Sequence, residues 1–380
     1  MEALVIGGGI IGVATACHLA ERDVDVTVIE KSHVGAGSTG RSGGGIRVQF
    51  STSVNVELSL ASKQVWDTFE DEFHTDIRRR RIGYLFLART EETAEQLRRD
   101  VGMQNAFGAT TELLTPEEAA EYCPKLYTDK FVAASYSASD EFVDPNLALT
   151  GYADRARELG VEFLVDEVVD IRVEDGAVVG VETPTRKLDA EYVVNAAGPW
   201  AGNVAAMAGV ELPITPELHR LAFARPDEPL PEYVPLTIDL DSGAVFRPEE
   251  DDVAAIGGHF DDHPPADPDN FPQKIGLEWT MKALEGVADV CGYFGPDSAV
   301  TNGLTGLYAM TPDTNPIIEE TLPGFVNAVG FSGHGFMHAP ATGKLVAELI
   351  VDGEASLVDI STLSSDRFET ASPSAEQNFI

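Results

Sequence analysis

The sequence predicts an α/β fold in which one domain is interrupted twice by a second, α+β domain built on a mixed sheet. Three observations predict it. The first thirty residues run strand, glycine turn, helix, strand. A second glycine-rich turn, at residues 330–336, again stands between a strand and a helix. Between these ends lie two excursions, about 84–143 and 211–300. The first domain then comprises residues 1–83, 144–210 and 301–380, and the second comprises 84–143 and 211–300.

Ala3-Leu4-Val5-Ile6 reads as a short buried strand. Gly7-Gly8-Gly9-Ile10-Ile11-Gly12 follows and places glycines in the G-x-G-x-x-G pattern at Gly7, Gly9 and Gly12. A helix is predicted from Ile10 to about Arg22, then a strand from Val24 to Ile29 that ends at Glu30. Gly7 permits the tight turn, Gly9 lets backbone approach a pyrophosphate, and Gly12 allows close helix–strand packing. The helix N-terminus offers N–H groups and the positive end of a dipole to phosphate. Glu30, 23 residues beyond Gly7, stands where a carboxylate accepts hydrogen bonds from a ribose diol. This is a Rossmann-like unit, and its spacing leaves NAD and FAD both open. The next run, Gly35-Ala36-Gly37-Ser38-Thr39-Gly40-Arg41-Ser42-Gly43-Gly44-Gly45-Ile46-Arg47, is dense in glycine and hydroxyls, so an extended ligand can lie against bare backbone.

Further along, Val161–Val165, Val168–Val173 and Val178–Thr183 read as strands, the last two joined through the hairpin signal Asp175-Gly176. Glu191–Asn195 is a strand running into Ala196-Ala197-Gly198. Arg78-Arg79-Arg80-Arg81 precedes a predicted strand, Ile82–Leu87, and is expected to pair with nearby carboxylates. The second excursion is rich in proline (Pro213, Pro216, Pro226, Pro229, Pro231, Pro235) and then acidic; Asp261-Asp262 and Asp267 to Asp269 read as solvated loop. Strands are expected at Thr305–Met310 and Phe325–Val329, with a helix from about His338 to Val351.

The chain has 380 residues, with 26 Lys and Arg against 63 Asp and Glu, a formal charge of −37. Such a surface repels phosphate and so argues against nucleic-acid or anionic-membrane partners. The acidic surplus predicts adaptation to high salt, of the haloarchaeal kind, where screening offsets self-repulsion. Cys17, Cys123 and Cys291 form no metal or disulfide pattern, and Cys17 falls within the first helix as a core residue. With no basic leader and no run of apolar residues long enough to span a bilayer, the sequence predicts a cytoplasmic protein.

The opening unit, Ser38-Thr39-Gly40-Arg41-Ser42-Gly43-Gly44, Asn195-Ala196-Ala197-Gly198-Pro199-Trp200-Ala201 and Gly330-Phe331-Ser332-Gly333-His334-Gly335-Phe336 together resemble the D-amino-acid oxidase superfamily of FAD enzymes. Within it the sequence looks most like the branch of sarcosine oxidase, glycine oxidase and dimethylglycine dehydrogenase, over nearly the whole chain. The resemblance implies an FAD site made by Gly7, Gly9, Ile10, Ile11, Gly12, Glu30, Lys31, Ser38, Thr39, Arg41, Ser42, Gly43, Gly44, Val168, Ala197, Gly198, Trp200, Gly333, His334, Gly335, Phe336 and Met337. The second glycine turn and its helix would face the flavin pyrimidine, where a positive dipole end favours the reduced cofactor.

The implied reaction is oxidation of the C–N bond of a small amino acid or N-methylated amino acid to an imine, with hydride transfer to flavin N5. Arg47 is the expected carboxylate anchor, because guanidinium binds carboxylate as a bidentate fork; Arg220, Arg225 and Arg247 are the alternatives. His259 and Tyr308 match active-site positions of sarcosine oxidase, while His334 is expected to act through its backbone and His338 through packing. No metal is implied. Arg41 and Gly306 stand where relatives attach FAD covalently, so FAD is expected to be non-covalent. Met337 and Ala255 replace two lysines of sarcosine oxidase, which leaves oxidase and dehydrogenase both open. An electron-acceptor protein or sister subunit is a possible partner. The competing classes are a flavin-binding subunit of a multi-subunit amine dehydrogenase with little activity alone, and an NAD-binding reductase.

Overall fold

In the computed structural model, the predicted opening unit is β1 (Glu2–Ile6), α1 (Ile10–Ala20) and β2 (Asp25–Glu30). The structure describes residues 1–260, 263–370 and 375–378, so Asp261 and Asp262 lie outside the described residues. β1 and β2 pair in parallel, with Leu4 opposite Thr27 and Val5 opposite Val28. α1 ends two residues before the expected Arg22 because the chain turns back at Asp23, which takes a left-handed φ of 60°. Its residues Ile10 to Leu19 are all buried, which explains why no amphipathic stripe is visible in its sequence. One side packs on the sheet. Another meets helix Gly335–Val351 so closely that a Cβ on Gly343 would lie 2.8 Å from the Ala14 backbone.

β1 and β2 belong to a six-stranded sheet. Its order is Ile317–Leu322, Phe325–Val329, Tyr192–Asn195, β1, β2, Glu162–Val165, and only the first strand is antiparallel to its neighbour. Three adjacent strands therefore deliver their following turns to one edge: Gly7–Gly9 after β1, Ala196–Gly198 after Tyr192–Asn195, and Gly330–Gly333 after Phe325–Val329. The carboxyl edge of a parallel sheet is where such folds bind ligands. The predicted hairpin is present, with Asp175 and Gly176 both at positive φ as a type I′ turn requires. A third strand, Lys187–Asp189, joins it.

The two excursions meet in an eight-stranded mixed sheet. Its order is Ala299–Met310, Thr215–Arg225, Ala254–Gly258, Ala244–Pro248, Leu236–Asp239, Tyr84–Ala88, Ala133–Ser137, Thr111–Leu114. Leu236–Asp239 and Tyr84–Ala88 run parallel, and every other pair is antiparallel. The expected boundary at residue 300 falls inside the Ala299–Met310 strand, which stays paired to Thr215–Arg225 through Met310. That strand begins six residues before the predicted Thr305. Gly303 and Gly306 obscure it in the sequence, although a Cβ at Gly303 would lie 2.3 Å from Ile275.

Helix α2 (Ser53–Phe73), outside the sequence expectations, buries Trp66 and Phe69 in one core with α1 and helix Gly335–Val351. A second core fills the space between the eight-stranded sheet and helix Leu277–Val290. The arginine run meets carboxylates as expected. Arg79 and Arg81 pair with the buried Glu141, and Arg80 pairs with Glu249. All three cysteines are free thiols, and burial pushes Cys17 up to about 12. No helix among the described residues is long and apolar enough to cross a membrane.

Candidate active site

A cavity of about 650 Å3 runs from the carboxyl edge of the six-stranded sheet to the face of the eight-stranded sheet. Its first half is built from backbone. Gly7 sits at φ 112°, and a Cβ there would come within 2.5 Å of the Ala196 carbonyl oxygen. Gly9 caps α1 with no side-chain cap and no acidic residue in the first turn, so the helix N-terminus is left to an anion. Ile10 N–H donates to Thr39 Oγ1 at 3.0 Å, which binds the second glycine-rich run to the first. Glu30, at the end of β2, accepts from Gly8 N (2.8 Å) and Ser32 N (2.9 Å). A carboxylate has about four acceptor positions, so this one retains capacity for a diol. Beyond it, Lys31 Nζ lies 3.9 Å over the Trp200 ring and 2.6 Å from Asp269, which also accepts from Trp200 Nε1 at 2.9 Å. The expected solvated loop at Asp267 to Asp269 is thus exposed, yet tied across the cavity.

At the other end of the sheet edge, helix Gly335–Val351 also starts without an acidic residue in its first turn, and Gly333 turns at φ 90° against the Tyr308 ring. The cavity wall includes Arg47, His259 and Tyr308 and nineteen of the twenty-two residues expected at the cofactor; Gly12, Gly44 and His334 are not on it. Gly12 faces β1, where a Cβ would lie 2.1 Å from the Gly7 carbonyl oxygen. Gly44 turns at φ 69° beneath the Val143 carbonyl. His334 is buried with its ring edge on Phe50 and its Nε2 3.4 Å from Arg47. The positions of the two covalent linkages in relatives adjoin one another: a Cβ on Gly306 would sit 3.4 Å from the Arg41 Cβ, and Arg41 donates to the Thr305 carbonyl. Met337 and Ala255 both line the cavity. Two acid-free helix starts, glycines that any Cβ would overfill, and one carboxylate at the ribose distance fit an extended dinucleotide such as FAD.

The second half is built from side chains. Arg47 is 2% exposed, with its guanidinium 3.9 Å over the Phe50 ring. It donates to the carbonyls of Gln49 and Asn378, the latter at 2.5 Å. Burial lowers its pKa, and Glu376, Tyr84 and Asp140 act against that. A guanidinium carries five N–H donors, so these bonds leave Arg47 able to meet a carboxylate. His259 is held down to about 3 by burial, with His263 and Arg47 adding to it, and is neutral at pH 7. His219, on the Thr215–Arg225 strand, stacks on Tyr308 at 3.7 Å and on His263 at 4.1 Å, and burial lowers its pKa as well. Burial raises the Tyr308 phenol, so it too is neutral. His219, His259 and His263 bring ring nitrogens within 4.8 Å of one another. Two of the rings, His219 and His263, stack nearly parallel, with 14° between their planes.

Among the alternative arginines, Arg220 and Arg247 line the cavity and Arg225 does not. Arg247 donates to the Gly43 carbonyl and to Glu249. His338 lies in the first turn of its helix, buried against Phe50 and 3.0 Å from Ser59 Oγ, in a packing role. His219, Tyr84 and Asn378 carry no signal in the sequence that marks them for this site.

The chain matches the family described as FAD dependent oxidoreductase over residues 2–349. It is 35% identical to the crystal structure of L-proline dehydrogenase from P. horikoshii, with 97% of each chain covered and a TM-score of 0.87. It is 26% identical to glycine oxidase from Geobacillus kaustophilus, covering 96% of this chain and 98% of that one, with a TM-score of 0.82. Mitochondrial dimethylglycine dehydrogenase from Rattus norvegicus is 26% identical over 97% of this chain, which spans 45% of that relative.

Proposed function

The chain belongs to the FAD-dependent oxidoreductase family, and from that premise we propose that it oxidises the C–N bond of a small amino acid or N-methylated amino acid to an imine. A secondary amine of the L-proline kind is the first substrate to test, on the likeness to L-proline dehydrogenase. The observation that carries the reading is Arg47, a buried guanidinium on the wall of the cavity between the glycine turns and the eight-stranded sheet.

FAD, when bound, takes up the hydride of the substrate carbon. Gly7, Gly9 and the start of α1 hold its pyrophosphate, Glu30 its ribose, and the turn at Gly333–Gly335 its ring system. Arg47 pairs with the substrate carboxylate and so fixes which hydrogen faces the cofactor. His259 and His219, neutral at working pH, offer lone pairs to the substrate N–H and add no positive charge against the amine. The His219–Tyr308 stack forms a flat wall suited to a small ring or a methyl group. With Met337 and Ala255 in place of lysines, an electron acceptor other than oxygen is favoured.

Anaerobic addition of L-proline, sarcosine, dimethylglycine, glycine and D-amino acids to the FAD-loaded protein tests this. At least one, L-proline first, should bleach the flavin absorbance; no bleaching by any member of the panel rejects the reading. Acid precipitation should release free FAD into the supernatant, since Arg41 and Gly306 offer no linkage. Yellow colour retained in the pellet would show covalent attachment.

A further inference from the structure

We propose that the 375–378 segment completes the substrate site, with Glu376 and Asn378 as positioning residues that fix the Arg47 guanidinium. Glu376 is 3% exposed. Its carboxylate accepts from Ser51 N and Oγ at 2.7 Å, Thr52 N at 3.0 Å, Thr52 Oγ1 at 2.8 Å, Asn55 Nδ2 at 3.2 Å and Asn378 N at 3.0 Å. It therefore caps the start of α2, where Thr52 makes no side-chain cap of its own and a negative charge meets the helix dipole favourably. Two residues on, the Asn378 carbonyl accepts from Arg47 at 2.5 Å, and its side chain donates to the buried Asp100 at 3.1 Å.

One short segment thus holds both ends of the stretch from Arg47 to Thr52. Further bonds seat it from the other side: Glu376 N donates to the Asp313 carbonyl, and Thr314 Oγ1 donates to the Glu376 carbonyl. Glu376 is also the foremost charge opposing the loss of the Arg47 proton. A lone buried guanidinium has several rotamers within reach of a cavity this size. The Gln49 and Asn378 carbonyls select one of them, which leaves the other donors aimed by geometry rather than by the ligand. The segment consequently acts on substrate affinity through Arg47 without touching the glycine turns that hold the cofactor.

The proposal rests on the reading of Arg47 as the carboxylate anchor, and the test separates the two. In FAD-loaded protein, the half-saturating L-proline concentration for anaerobic flavin reduction is compared among the full chain, Glu376→Ala, Glu376→Gln, a chain ending at residue 370, Arg47→Ala and the double variant Arg47→Ala/Glu376→Ala. Binding of pyrrole-2-carboxylate, which has no oxidisable C–N bond, is read in parallel from the flavin spectrum. Glu376→Ala and the shortened chain should weaken both by roughly 10- to 100-fold. FAD content and the saturating reduction rate should change far less. Glu376→Gln should recover part of the affinity, and the double variant should lose little beyond Arg47→Ala. Affinity lost in Arg47→Ala but kept in the shortened chain overturns the positioning role and leaves the anchor standing. Affinity kept in Arg47→Ala overturns the anchor itself. Reaction of Arg47 with phenylglyoxal, read by peptide mass, supplies a measure that needs no substrate. Arg47 should be protected in the full chain and modified in Glu376→Ala; equal protection in both rejects the proposal.

Discussion

The two halves of the cavity are made differently. The half proposed for the cofactor is lined by main chain: Gly7, Gly9, Gly198 and Gly333 stand in three turns that the sheet gathers at one edge, each turn a short local run of residues. The half proposed for the substrate is lined by side chains from distant segments: Arg47, His219, His259 and Tyr308 stand on the wall, with Asn378 bonded to Arg47. At Gly7 and Gly333 the main-chain wall has no room for an added atom, because a Cβ would come within 2.5 and 2.4 Å of its neighbours. Side-chain recognition tolerates change in shape and fails in affinity or rate instead. Damage to the first half should therefore cost the cofactor, and damage to the second should cost the substrate alone.

Gly12→Ala is the strongest test of that contrast. Its Cβ would lie 2.1 Å from the Gly7 carbonyl oxygen, a backbone atom in the turn that joins β1 to α1. Overpacking at such a contact costs about 3 kcal/mol or more. The purified protein should be colourless or insoluble, and full flavin content would break the comparison. Arg47→Ala comes next. It should retain FAD yet lose roughly 2–4 kcal/mol of substrate binding, or about 30- to 1000-fold in flavin reduction measured by stopped flow. Arg47→Lys should restore only part, since a point charge replaces a planar fork. If Arg47→Ala instead releases FAD, the division between the halves is misplaced.

A smaller effect is expected at the tie across the cofactor half. Asp269→Asn weakens the exposed pair with Lys31, so FAD dissociation should quicken by about two- to fivefold at low salt and less in molar KCl. Equal effects at both salt concentrations would mean that the Trp200 hydrogen bond, not the charge, is what holds. The smallest effect concerns pH. His259 is held down to about 3, whereas an unfolded histidine titrates near 6.5. Between those values the unfolded chain binds the proton more tightly, so stability falls as pH drops through that window. His259→Gln should move the midpoint of acid unfolding lower by a few tenths of a pH unit or so, followed by circular dichroism. A shift to higher pH would show that the ring carries charge in the folded state.

The same contrast governs what can be read from the sequence. β1, the first glycine turn and β2 are legible because each part touches the next, and Glu30 stands where the spacing puts it. α2 is not, since the residue that caps it, Glu376, lies 324 positions away from Thr52. His219 is hidden in a strand that carries Pro216 within a proline-rich stretch, where the pattern favours loop. Its role depends on Tyr308, which arrives from the neighbouring strand. Arg47 stands out because it follows the glycine run. Asn378, whose carbonyl accepts from it, lies 331 positions further on, where no local pattern links the two.

The Ala299–Met310 strand joins the halves in a way that bears on how the protein can change. Its Thr305 and Leu307 carbonyls accept from Arg41 and Ser38, and Tyr308 stands beside them on the cavity wall. One strand would therefore set the offset between the proposed cofactor and substrate halves, at about 3.3 Å for each residue. It works as a gauge. Inserting a single residue between 305 and 308 would turn Tyr308 to the opposite face and shift every later contact. Although it is an edge strand, this stretch has no slack in length, whereas the exposed turn at residues 184–186 can absorb insertions without altering the spacing at which a substrate carbon is presented.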